Sequence, residues 1–173
     1  DGGINEKATA VINGGVFKAP EGVPALKGAE KTGNPIIYGG TFSSDVSKYV
    51  AENAAITEGP GGTFTVNELD ETNGVAEVGG RYYASLQNAV DNAGKGETVT
   101  LLQDTAEDIV IPEGAELTLN LNGKTLTNHE DHTITNKGTL TITGGGTVDN
   151  VTHARAAIQN EPGGNVVLNA VSY

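Results

Sequence analysis

Leu117-Thr118-Leu119-Asn120-Leu121 and Leu140-Thr141-Ile142-Thr143 alternate apolar and polar residues at a period of two, the pattern of a strand with one wet face. They lie in a region, Glu97 to Asn169, where similar short pieces recur every twenty-odd residues. Ile111, Ile134 and Ile158 stand 23 and 24 residues apart, Leu119, Ile142 and Leu168 stand 23 and 26 apart, and Leu126 and Val148 stand 22 apart. Three such columns in register imply three strands per repeat. One amphipathic strand cannot bury its apolar side alone, so a fixed period of this size predicts a stacked solenoid, a right-handed parallel β-helix.

Parity extends the inward face. If Ile134 and Ile158 point inward, Asn136 and Asn160 do so two residues later, at a bend between strands. Stacked amides there satisfy one another and the turn backbone; the other reading is a pair of turn asparagines facing water.

The period is already present near the start of the chain. Ala10-Val11-Ile12-Asn13-Gly14-Gly15-Val16-Phe17 has a near copy 25 residues on, Pro35-Ile36-Ile37-Tyr38-Gly39-Gly40-Thr41-Phe42, and Ile142 to Val148 is a looser third version. Each strand reaches a Gly-Gly bend and resumes, in the first two copies with an inward Phe. Residues 18–34 read as an irregular excursion. Ser44 is expected to open a short helix with Val46, Tyr49 and Val50 on one side, a lid over the last rung. A turn and strand follow from Gly59 to Val66, then an acidic, turn-forming linker over 67–74.

From Val75 the pattern restarts. Two short strands flank Gly79-Gly80, a tight-hairpin signal, and Ser85 caps a helix carrying Leu86, Val90 and Ala93 that Gly94 ends. The organisation expected is therefore 1–66 as the final rungs and cap of one β-helix, and 75–173 as the cap and first rungs of a second.

Composition agrees with turn-rich β structure: the 173 residues include 25 Gly, no Cys, Met or Trp, and 5% aromatics. A formal charge of −12 excludes a nucleic-acid or anionic-membrane surface, which would need clustered Lys and Arg. No apolar run is long enough for membrane insertion, and no signal-like segment opens the chain, as expected of an excised, mature piece. Both ends fall in mid-rung without a lid, which predicts end-to-end association, between molecules or within a longer protein.

Gly39-Gly40-Thr41-Phe42-Ser43-Ser44-Asp45-Val46 with Gly62-Thr63-Phe64-Thr65-Val66 resembles the terminal segment of repeat-rich surface proteins of gut Firmicutes. Tyr83-Ala84-Ser85-Leu86-Gln87-Asn88-Ala89-Val90, Thr98 to Leu102, Leu119 to Leu126 and Leu140 to Gly144 resemble the opening of their right-handed, pectate-lyase-like β-helix domains. The resemblance implies a bacterial cell-surface or wall-associated, extracellular setting. It does not choose an activity, because that fold carries lyases, hydrolases, adhesins and stalks alike.

Candidate sites are few. The Ile111–Ile134–Ile158 alignment stacks Asp108, Asp131 and Arg155, with Glu107 over Glu130 and His129 over His153. Carboxylates for Ca²⁺ and a base for proton abstraction are what a polysaccharide lyase needs. The alternative is an outward ion pair between Asp131 and Arg155, worth at most about 1 kcal/mol. His129, Asp131, His132 and His153 are enough ligand types for Zn²⁺, or else exposed loop residues. Tyr82, next to an inward Tyr83, is the one aromatic expected to face a ligand. A flat ice-binding Thr face fails, because the column Thr118–Thr141 breaks at Val167. The expected function is a non-catalytic surface module, stalk or adhesin, contacting a host or surface glycan or protein and needing no cofactor. The alternatives are a polysaccharide-active enzyme fragment and a binder of a host protein such as immunoglobulin.

Overall fold

The alternating stretches form strands stacked in parallel, and the protein is a β-solenoid, nearly all-β with 41% strand and 6% helix. The computed structural model describes residues 10–28, 34–152 and 154–169. The chain divides into two compact units, Asp1–Leu69 and Asp70–Tyr173.

The second unit opens with the hairpin β7 (Ala76–Val78) and β8 (Arg81–Tyr83), numbered after the six strands of the first unit. It turns at Gly79-Gly80, both at positive φ. Helix α1 (Leu86–Asn92) follows, its start capped by Ser85 Oγ, which accepts from Asn88 N at 3.2 Å. The rungs then run β9 (Thr98–Leu101), β10 (Thr105–Ala106) and β11 (Ile109–Ile111), then β12 (Glu116–Asn120), β13 (Thr125–Thr127) and β14 (Ile134–Asn136). The last described rung is β15 (Thr139–Thr143), β16 (Thr147–Asp149) and β17 (Ile158–Asn160), with β18 (Asn165–Leu168) beginning another. Each strand pairs in parallel with its counterpart one rung away, so three sheets run along the stack.

Two columns have the predicted register, Leu119↔Ile142↔Leu168 and Leu126↔Val148. The third does not. Ile109, not Ile111, lies beside Ile134 and Ile158, and Ile111 lies beside Asn136 and Asn160. A two-residue slip keeps every side chain on its own face, so alternation cannot detect it. The slip is absorbed at the corner: Ile111 to Leu117 spans two residues more than Asn136 to Leu140, and Leu117 still pairs with Leu140. Ile109, Ile111, Leu119, Leu121, Leu126, Ile134, Leu140 and Ile142 are fully buried, each contributing about 1.5–3 kcal/mol.

The Asn column is buried at one of its two rungs; Asn160, on the last described rung, is exposed. Asn136 is fully buried, and its Nδ2 donates to Asn160 Oδ1 at 2.8 Å, Asn165 O at 3.0 Å and Gly138 O at 3.2 Å. Its Oδ1 accepts from Gly138 N at 3.3 Å. A Cβ on Gly138 would lie 2.6 Å from the main-chain oxygens of Pro112 and Ala115, so the ladder and the closely stacked corner go together.

The edge of the first rung is covered. Strand β7 pairs antiparallel with β9, and Gln87 of α1 reads the backbone of Val110 as a strand would: Val110 N donates to its Oε1 at 2.7 Å and its Nε2 donates to Val110 O at 3.1 Å. Glu107 in turn accepts from Leu86 N at 2.9 Å and Gln87 N at 3.2 Å, placing a carboxylate at the helix start.

In the first unit β1 (Val11–Ile12) pairs with β3 (Ile36–Ile37), and β2 (Val16–Phe17) with β4 (Gly40–Phe42), at the predicted offset of 25. Phe17 and Phe42 stack with ring centroids 4.9 Å apart. The expected lid helix is only a single 3-10 turn, Ser47–Tyr49. Ser44 does not cap it; its Oγ accepts from Ala25 N at 2.8 Å, tying down the excursion. Tyr49 is held the same way, its Oη accepting from Gly28 N at 2.8 Å. Val50 makes a parallel bridge with Ile37, which draws the segment into the stack instead of across its end. An antiparallel hairpin, β5 (Ala54–Gly59) with β6 (Thr63–Glu68), follows, and β6 lies against β4.

Strand β6 therefore continues into the stretch expected as linker. Leu69 is buried, and Asp70 and Asn73 close a turn in which Asp70 Oδ1 accepts from Thr72 N at 2.8 Å. The expectation about the two chain ends falls on residues outside those described.

Candidate functional site

The loops that join the stacked strands hold every candidate for chemistry. Asp108 sits just before β11, and its carboxylate accepts three successive main-chain N–H groups from the next rung: His129 and Glu130 at 2.8 Å, Asp131 at 3.0 Å. Burial pushes its carboxyl up, but the three donors outweigh burial and hold it below the ordinary carboxylate range. Asp108 is a staple between rungs.

Asp131 and Arg155 do meet. Arg155 Nε donates to Asp131 Oδ1 at 2.9 Å, with both side chains about half exposed, and the same oxygen accepts from His132 N at 2.9 Å. Asp108, Asp131 and Arg155 do not form the expected column, because Asp108 precedes Ile109, which is level with Ile134; Thr133 occupies the corresponding place. Glu107 caps α1 and Glu130 is exposed, so they form no shared carboxylate pair.

The histidines are separate. His129 is exposed beside Glu130, its Nδ1 3.7 Å from Glu130 Oε1. His132 Nδ1 accepts from Ala156 N at 2.8 Å, tying the ring to the next rung. His153 lies outside the described residues. Among the described residues no three His, Cys, Asp or Glu side chains are placed to hold a metal ion together.

Sequence reasoning missed the polar groups that organise these loops. Asn128 is buried; its Oδ1 accepts from Val151 N at 2.7 Å and its Nδ2 donates to Thr152 Oγ1 at 2.5 Å. Thr133, fully buried, donates to Asp149 O at 2.7 Å, and Asn150 Nδ2 donates to Asp131 O at 2.9 Å. A signal was present: Asn128 and Asn150 stand two residues after Leu126 and Val148, in the same 22-residue step.

Tyr82 is half-buried in β8 opposite Glu77, and Tyr83 is buried as expected. Two open grooves lie at strand bends. In the second unit about 460 Å³ is lined by turn residues including Glu113, Glu116, Lys137 and Glu161. In the first unit about 480 Å³ is lined by Asn13, Tyr38, Gly39, Gly40, Val66, Asn67 and Glu68. No described helix is long and apolar enough to cross a membrane.

No family model, no curated protein and no solved structure matches this chain.

Proposed function

We propose that this chain is a non-catalytic binding and spacer module of an extracellular bacterial surface protein. The observation that carries the reading is the use made of the candidate reactive groups. Asp108 is consumed by three backbone donors, Asp131 Oδ1 is taken by Arg155 and His132 N, and His132 Nδ1 by Ala156 N. Each fastens one rung or loop to the next, which is work a stalk requires. What remains for contact is lateral: in each unit, an open groove at the strand bends. The resemblance to surface proteins of gut Firmicutes supports the same setting.

The test is to incubate the chain with neutral polysaccharides and polyuronates, measuring retention by affinity electrophoresis and polymer length by size-exclusion chromatography. Retention with unchanged polymer length is the expected result. Shortened polyuronate, abolished by Asp131→Ala, would replace this reading with a lyase. Retention on immunoglobulin and on no polysaccharide would move it to a host-protein binder.

A further inference from the structure

The groove of the first unit has a composition that its fold does not require. Asn13 and Tyr38 occupy equivalent places in successive rungs, since Val11 pairs with Ile36 and Ile12 with Ile37. Ile37 is buried, and Tyr38 after it lines the groove. Strand β6 passes antiparallel to β4 with Val66 opposite Gly40, which brings Asn67 and Glu68 to the same bend. The floor is main chain: a Cβ on Gly39 would lie 2.7 Å from Asn13 O, so no side chain can fill the concavity there.

The asparagines differ from most of those at the bends of the second unit, although the exposed Asn88 and Asn165 there are also without a side-chain partner among the described residues. Asn120, Asn122, Asn128, Asn136, Asn150 and Asn160 all spend side-chain oxygen or nitrogen on the backbone or on a neighbour. The side chains of Asn13 and Asn67 have no hydrogen-bond partner among the described residues. An amide offers both donors and an acceptor, the complement of a sugar hydroxyl, and the Tyr ring supplies a flat apolar face with a polar tip for the C–H side of a pyranose. A concave site with one aromatic wall and a few converging polar groups is the usual build of a small-ligand site. Among the described residues no Lys or Arg lines it, and Glu68 does, so with a net charge of −12 on the chain a neutral sugar suits it better than an acidic one.

We infer that the groove between Asn13, Tyr38 and Asn67 binds a neutral saccharide. The inference rests on the binding-module reading above and names the ligand class and the residues. Tyr38 stacks on the sugar, and the two amides bond its hydroxyls.

The test is an amide NMR titration of the full chain with neutral hexasaccharides, a β-linked glucan, a mannan and an N-acetylglucosamine oligomer, with oligogalacturonate as the acidic comparison. Saturable shifts confined to the amides near Asn13, Tyr38 and Asn67 with at least one neutral oligomer are expected. Binding should be about tenfold weaker in Tyr38→Ala, near wild type in Tyr38→Phe, and weakened in Asn67→Ala, with far-UV circular dichroism unchanged in all three. Shifts centred on Tyr82 or on the Glu113–Glu161 groove, or equal affinity of Tyr38→Ala, would overturn the site while leaving a binding module. A preference for oligogalacturonate would overturn the ligand class. Absence of saturable shifts with every oligomer would overturn the inference outright, and retention on immunoglobulin in the earlier experiment would then show whether the broader reading survives.

Discussion

Both units turn a corner with asparagine, and they use it in opposite ways. In the second unit Asn136 points inward and is bonded to Asn160, Gly138 and Asn165, so the corner is packed and its polar groups are satisfied. In the first unit Asn13 and Tyr38 hold equivalent bend positions but line an open groove. A buried amide ladder spends its hydrogen bonds on register. An outward amide beside a ring keeps them for something else. Corners of one architecture can thus serve stability or contact, depending on which side of the chain the polar residue takes.

Substitutions in the two units separate these roles. The largest effect belongs to the core of the first unit: Phe42→Ala removes a fully buried ring stacked on Phe17 and should cost about 3–5 kcal/mol by urea unfolding. Asn136→Ala comes next. It leaves Gly138 N without its partner in a buried corner, while the exposed Asn160 can turn to water, for about 1–3 kcal/mol in the same measurement.

Asp108→Asn should cost about 1–2 kcal/mol near neutral pH, because the amide keeps only one acceptor oxygen and its NH2 turns a donor toward at least one of the three main-chain N–H groups. The folded carboxyl titrates below its unfolded value, so its contribution is present above the unfolded value and is lost as pH falls through the folded one. The gap in urea midpoint between wild type and Asp108→Asn should therefore close on acidification; a gap that widens would contradict the assignment. Arg155→Ala should be smallest, within about 1 kcal/mol, since its partner is an exposed carboxylate.

Much of this fold is written in the chain. The Leu119–Ile142–Leu168 and Leu126–Val148 columns, the Phe17–Phe42 offset, the Gly79-Gly80 hairpin and the Ser85 cap all follow from local chemistry: side-chain parity, turn residues and a capping hydroxyl. The misplacement of Ile111 over Ile134 has a physical origin. Alternation fixes the face of a strand but leaves slips of two residues undetected, and only the lengths of the two corners resolve them. The Asp108–Asp131–Arg155 column inherited that slip.

The Ser44 helix failed for a different reason. Val46, Tyr49 and Val50 do sit at helical spacing, yet Val50 is drawn into a bridge with Ile37 and Ser44 into a bond with Ala25, so tertiary contacts outweigh the local stripe. The groove at Tyr38 was not legible because it is assembled from residues far apart in the chain, on β6 and on two rungs. Tyr82, expected to face a ligand because its neighbour Tyr83 points inward, is half-buried.

The most direct test of the contrast between corners measures two variants by two readouts, Asn136→Ala and Tyr38→Ala, each by urea unfolding and by retention on neutral polysaccharide. The expected result is a crossed pattern: Asn136→Ala loses stability and, below its unfolding transition, keeps retention, while Tyr38→Ala loses retention and keeps its unfolding midpoint. Loss of both properties together in Tyr38→Ala, or undiminished retention in that variant, would contradict the division of labour between the two corners.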